Sequence, residues 1–167
     1  MKVPRIHLYT CTGKHCKNFN AEAVVDRLKE IIREKGAKGV VTTTSGCVHL
    51  CDMASVMVVY PEGVWYASVK TEDLEEIVEE HLINGRPVER LRITPDHPEE
   101  LKRKAFYAQL FGRDSLAKQE VAKLAQESGF SPEWMELQLS TGFFEIPDEA
   151  KPDVLKLGYK ARFRYLG

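Results

Sequence analysis

The chain has no apolar run long enough to cross a bilayer, and its N-terminus, Met1-Lys-Val-Pro-Arg-Ile, lacks the apolar stretch of a secretory signal. Both absences lead us to expect a cytoplasmic protein with no membrane partner. Net charge is almost absent too: 24 basic residues stand against 25 acidic ones, for a formal −1. A surface drawn as a whole to nucleic acid needs a strong basic excess, so nucleic acid is not an expected partner. There is no internal repeat and no low-complexity segment. Cysteine is scarce, with four in the chain, and none lies in a Cys-x-x-Cys pair, which makes thiol–disulfide exchange a weak reading. What remains is ordinary: 167 residues, 43 % of them hydrophobic, fit one domain of common size or a small domain with an appendage.

The four cysteines form two short pairs, Cys11-Thr-Gly-Lys-His-Cys16 and Cys47-Val-His-Leu-Cys51. In a reducing compartment such pairs more often bind metal than form structural disulfides. Three metal readings compete. A [2Fe–2S] cluster needs four thiolates, two per iron, and gives a carrier of single electrons. Zinc also accepts four cysteines, although structural zinc knuckles favour tighter spacing. A Rieske-type centre would draw on His15 and His49, which sit inside the loops, but four thiolates make it unnecessary. The two histidines otherwise read as exposed loop residues, or as hydrogen-bond partners of a ligand sulfur. Gly13 and Gly46 are expected to let backbone approach closely.

The elements around the pairs bring them together. Residues 3–9 read as a strand running into Cys11. A helix follows, with Ala21, Val24, Val25, Leu28, Ile31 and Ile32 on one face, capped by Asn18 or Asn20 and stopped at Gly36. Residues 39–44 are β-branched and read as a second strand that delivers the chain to Cys47. A strand–helix–strand crossover makes the two strands parallel. Both pairs then leave the sheet at one edge, where open α/β sheets bind ligands. A hairpin over 55–69 turns at Pro61-Glu62-Gly63, and a helix capped by Thr71 runs to Leu82. The sum is β-α-β-β-β-α, an α/β layer of thioredoxin type with a mixed sheet.

On these residues the chain resembles the thioredoxin-like [2Fe–2S] ferredoxins and the related small subunit of respiratory NADH dehydrogenases and NAD-linked hydrogenases. The likeness lies in Cys11-x4-Cys16, in Ser-Gly-Cys47-x3-Cys51-Asp-Met and in Val-Val-Tyr60-Pro-Glu-Gly-Val-Trp-Tyr66. It continues through Val69–Leu82 and through Gly85-Arg-Pro-Val-Glu-Arg-Leu91. It implies a ferredoxin domain over 1–93, a [2Fe–2S] cluster on Cys11, Cys16, Cys47 and Cys51, no catalysis by the protein alone, redox partners (a reductase and an acceptor) and a homodimer. It also implies an alternative, a subunit of a flavin-containing NADH or hydrogen oxidoreductase; a zinc-stabilised interaction module is the third reading. Where the family usually carries Gly-Pro after the second pair, this chain has Ala54-Ser55.

Residues 94–167 lie outside the resemblance and read as a mainly helical extension, with helices near 98–111, 115–128 and 132–140. Ala125-x3-Gly129-Phe-Ser suggests a helix-turn-helix, but the helix after it is acidic, which opposes DNA binding. The basic and aromatic residues of 159–165 alternate like a closing strand. On the helix at 71–82, Glu72, Asp73, Glu75, Glu76, Glu79 and Glu80 read as a solvated face or as a docking surface for a basic partner.

Overall fold

A computed structural model describes residues 4–166, the last by its backbone alone. Two compact units divide the chain, Met1–Thr94 and Pro95–Gly167.

The first unit opens with β1 (Ile6–Cys11), a short α1 (Lys14–Asn18), α2 (Ala21–Glu34) and β2 (Val40–Ser45). The strand expected at 3–9 thus starts later and runs as far as Cys11, and Val3 lies outside the described residues. Next come β3 (Met57–Tyr60) and β4 (Val64–Tyr66), shorter than the expected hairpin arms. The helix α3 (residues 71–83) passes from a 3-10 turn over Thr71–Asp73 through Leu74–Glu76 into a π-helical turn over Ile77–Ile83. A two-residue strand, β5 (Arg92–Ile93), completes a five-stranded sheet of order β2-β1-β3-β4-β5. β1 and β2 are parallel and all other neighbours antiparallel, so the sheet is mixed, as expected of a thioredoxin-like layer.

Alternation on the strands decides which side is packed. Ile6, Leu8, Met57, Val59, Val64 and Tyr66 are buried together with Val24, Leu28 and Ile31 of α2 and Leu74, Ile77, Val78 and Leu82 of α3. Burying each such side chain contributes roughly 1.5–3 kcal/mol. Asn20 stands at the N-cap of α2 in a left-handed conformation, φ 58°, but its side chain makes no capping bond. Gly36, at φ 64°, ends α2 as the sequence suggested. Thr71 does not cap α3; the Asp73 carboxylate accepts the Lys70 N–H at 2.8 Å instead. The α3 acids are largely paired within the unit: Lys35 with Glu79 at 2.5 Å and Glu75 at 3.7 Å, Arg86 with Glu80 at 2.7 Å, and Arg90 with Asp73 at 2.7 Å and with Glu76.

The second unit has α4 (Pro98–Ala108), β6 (Leu116–Ala117), α5 (Lys118–Glu127), α6 (Pro132–Ser140), β7 (Phe144–Glu145), β8 (Val154–Leu157) and α7 (residues 159–166). The closing strand expected at 159–165 is therefore helical. Ala161 is buried and Arg164 and Tyr165 are half-buried, a helical spacing that wins over the alternation. The strand lies just before it. The antiparallel sheet has order β6-β8-β7, and with the α5–α6 helix-turn-helix this is the arrangement of a winged helix. Its core is aromatic: Tyr107 stacks on Tyr165 with ring centres 4.8 Å apart, and Phe130 stacks on Trp134 at 3.8 Å. A Cβ at Gly158 would lie 2.3 Å from the Gly142 carbonyl oxygen, so only glycine fits there. The exposed positions of α6 include Glu133 and Glu136, and the loop between β7 and β8 exposes Asp148, Glu149 and Asp153 against Lys151.

Candidate metal centre

Two parallel strands of equal reach build the site. Cys11 is the last residue of β1 and pairs in register with Ser45, the last of β2, so Gly46 and Cys47 follow directly. The Thr12 N–H and hydroxyl both donate to the Ser45 carbonyl, at 3.0 and 3.1 Å, which ties the two exits together. Cys16 sits on α1, an element too short for its periodicity to show in the sequence. Cys51 opens a 3-10 turn over Cys51–Met53.

The thiols come as two pairs. Cys16 Sγ donates to Cys11 Sγ at 3.3 Å, and Cys47 Sγ lies 3.6 Å from Cys51 Sγ. Among the described residues, no group of three or more His, Cys, Asp or Glu side chains is gathered tightly enough to hold a single metal ion. The loops meet at Gly13, where a Cβ would stand 3.0 Å from Cys47 Cα and 3.0 Å from Cys47 Cβ. Gly13 thus performs the close approach expected of it, whereas Gly46 faces open space and has no such role. Cys11, Cys16 and Cys51 are buried and Cys47 is exposed. Cys11 and Cys16 share a small core with Ala21, Leu50, Met53, Val56 and Ile93.

Hydrogen bonds set the protonation of the inner pair. The Cys16 thiol, joined by the Gly13 and Val48 N–H groups, holds Cys11 below the ordinary thiol range despite its burial. Donating that bond, together with burial and the thiols of Cys11, Cys51 and Cys47 nearby, holds Cys16 above it. The first thiolate of this pair therefore forms on Cys11.

Backbone groups touch the sulfurs where the sequence had pointed to side chains. His15 and His49 are half-buried rather than exposed, and the His15 ring packs against Phe19 with ring centres 4.8 Å apart. His49 reaches a thiol through its amide: its N–H donates to Cys47 Sγ at 3.4 Å. Its φ is +60°, a conformation in which histidine is several-fold enriched among non-glycine residues, and that enrichment was the only trace in the sequence. The Ala54–Ser55 peptide bond, at the departure from the family pattern, is cis, as is Tyr60–Pro61.

Two pairs of thiols, three of the four buried and one sulfur of each pair facing backbone N–H groups, fit a two-iron centre that takes two thiolates per iron. No family model matches the chain. It is 37 % identical over 99 residues to a 2Fe-2S ferredoxin of Clostridium pasteurianum, a match that covers 54 % of this chain and 97 % of that protein. The chain belongs to the thioredoxin-like [2Fe–2S] ferredoxins. A 2Fe-2S ferredoxin of Aquifex aeolicus is 57 % identical over 58 residues, 35 % of this chain and 52 % of its own length. The crystal structure of the wild-type thioredoxin-like [2Fe-2S] ferredoxin from Aquifex aeolicus aligns with TM-score 0.50 and 38 % identity, over 53 % of this chain and 96 % of that one. About half of this ferredoxin family member thus has counterparts among these relatives.

Proposed function

We propose that the protein carries single electrons between redox partner proteins, a reductase and an acceptor, and turns over no substrate itself. Cys11, Cys16, Cys47 and Cys51 hold the [2Fe–2S] group, with the first pair on one iron and the second on the other. Membership of the ferredoxin family carries this reading, and the exit of both cysteine pairs from neighbouring parallel strands supports it. When bound, the group supplies a one-electron couple. The chain's own part is to present four thiolates, to keep water from three of them and to aim N–H groups at Cys11 and Cys47.

Residues 1–93 form the electron-carrying domain in this reading, and 94–167 an appended one. No helix of the described residues is long and apolar enough to cross a membrane; we place the protein in the cytoplasm, as a homodimer. The acidic α6 and the acidic loop between β7 and β8 speak against a phosphate backbone as partner of the second unit.

The test is an iron and acid-labile sulfide assay on purified protein, expected at about two of each per chain. A colourless protein holding only zinc would replace this reading with the interaction module. Cys47→Ser is expected to change the visible spectrum and the midpoint potential, and an unchanged variant removes Cys47 from the ligand set. Co-purification with a flavoprotein would move the reading to a subunit of an NADH or hydrogen oxidoreductase.

A further inference from the structure

β2 forms one edge of the five-stranded sheet, with β1 as its single neighbour there. Its ladder uses every second residue: the Gly39 carbonyl accepts the Ile6 N–H at 3.0 Å, and the Ser45 carbonyl accepts the Thr12 N–H at 3.0 Å. Alternate residues of a strand turn their backbone groups to the same side, so Val41 and Thr43 also face β1, while Val40, Thr42 and Thr44 point N–H and C=O outward. Among the described residues, no backbone hydrogen bond beyond the sheet ladder reaches those three. Open edges are normally blunted by lysine, proline or a bulge. β2 has none of these: its sequence is Val-Val-Thr-Thr-Thr-Ser, its register with β1 is unbroken, and residues 39–51 include no Lys, Arg, Asp or Glu. Val41 is 42 % exposed.

We propose that this edge is an interface with a second copy of the chain: β2 pairs antiparallel with its own counterpart about a two-fold axis through Thr42, and two five-stranded sheets become one continuous sheet. The proposal rests on the homodimer reading, whose surface it names, and is independent of the cluster assignment. A second copy is the occupant because the edge is complementary to itself. The outward residues are symmetric about Thr42, so Val40 meets Thr44 of the second copy, Thr42 meets Thr42, and Thr44 meets Val40. All three are hydrogen-bonded pairs, each exchanging two N–H···O bonds. Their side chains share the helix-covered side of the sheet, where Val40 already packs on the core, and every contact is between β-branched residues. On the other side Val41 meets Thr43. No like charges are brought together, and a partner chosen by charge would find nothing on this strand to read. The antiparallel pairing also leaves the two Cys47 loops at opposite ends of the joined strands, so both exposed sulfurs stay open to redox partners.

Thr42 stands on the axis and meets itself, so substitutions there test the symmetry. Thr42→Lys and Thr42→Glu each set like charges opposite one another, and each full-length chain is expected to self-associate several-fold more weakly than wild type. An equimolar mixture sets Lys against Glu and is expected to recover the dimer. Thr42→Pro removes an outward N–H without touching the ladder to β1, takes both bonds from the axial pair, and should raise the dimer Kd by about tenfold or more. If the proline chain does not fold, the charge pair carries the test. Sedimentation velocity over a concentration series gives the dissociation constants. Hydrogen exchange locates the surface: the Val40, Thr42 and Thr44 amides should exchange slowly in the wild-type dimer and quickly in the variants. A wild-type monomer overturns the proposal, and so does a dimer that all the variants leave unchanged. A mixture no tighter than its components, or free exchange of the three amides within the dimer, places the interface elsewhere and overturns it too. None of these results touches the ferredoxin reading, which iron and sulfide per chain decide on the same samples.

Discussion

The two cysteine loops differ in how they are held. The first is fastened at both ends: Cys11 is part of β1, Cys16 is part of α1, and both sulfurs are buried. The second leaves β2 through Gly46, exposes Cys47, and regains regular structure only at Cys51. Gly13 is where the loose loop rests on the fixed one. The comparison teaches that one loop sets the geometry and the other adapts to it, so equal substitutions in the two should have unequal effects.

The largest contrast is between serines. A serine at Cys11 or Cys16 replaces a sulfur that is 2 % exposed, where the backbone of a strand or helix leaves little room to adjust. Both variants are expected to lose most of their iron. Cys47→Ser lies on an exposed loop with water at hand and is expected to retain more iron than either, with an altered spectrum. Iron and sulfide per chain after desalting measure the contrast. Equal losses at 11, 16 and 47 would remove it.

This difference was only half legible in the sequence. The β-branched run at 39–44 and the apolar strand before Cys11 were enough to place both pairs at one end of parallel strands. The burial of Cys16 was not, because a five-residue helix shows no periodicity. β5 escaped for a similar reason, since two residues that pair with Trp65 and Tyr66 carry no pattern of their own. In the second unit the three helices were readable from their caps and apolar faces. Its small sheet was not, because β6 and β7 have two residues each and are defined by their partner β8. The segment 159–165 satisfies both periods on paper, and its packing decides for the helix. Among the site residues, the four thiols stood out, and the amide donors of Val48 and His49 did not, because every residue but proline carries an N–H.

A milder perturbation tests the point of contact between the loops. Gly13→Ala would bring a methyl group to 3.0 Å from two Cys47 atoms, one of them backbone, and we expect it to destabilise the metal-free chain by about 1–3 kcal/mol. Gly46→Ala meets open space and should stay within about 0.5 kcal/mol of wild type. Denaturant melts of both variants give the comparison. A Gly13→Ala chain as stable as Gly46→Ala would mean that the loops do not rest on each other.

Away from the loops, a buried polar pair lies in the first unit. The Val88 N–H donates to Tyr66 Oη at 2.9 Å, and Tyr66 Oη stands in hydrogen-bond contact with His81 Nδ1 at 2.8 Å. Burial lowers the His81 pKa below its ordinary 6.5. The unfolded chain therefore binds the proton first as pH falls. The contribution of His81 to stability is complete above about pH 6.5 and declines below it, by at most about 1.4 kcal/mol per pH unit. His81→Gln should flatten that decline, while the order of serine effects at the two loops stays the same. A loop contrast that follows pH through His81 would place its origin in the sheet rather than in the loops.

The smallest expected effect concerns charge. Lys14 lies in the first loop and Lys17 just after it, paired to Glu22 at 3.1 Å, and residues 46–51 carry no formal charge. The acids of α3 look like a docking face in sequence, but Lys35, Arg86 and Arg90 engage five of them within the same unit. Exposed pairs of this kind contribute little to stability, yet they cancel most of the field that would steer a partner. Oxidation of the reduced protein by a basic cytochrome is then expected to slow by less than about twofold between about 0.05 and 0.5 M salt. A steep fall would restore α3 as a docking face. A shallow one leaves the uncharged second loop, with its exposed sulfur, as the side through which electrons leave.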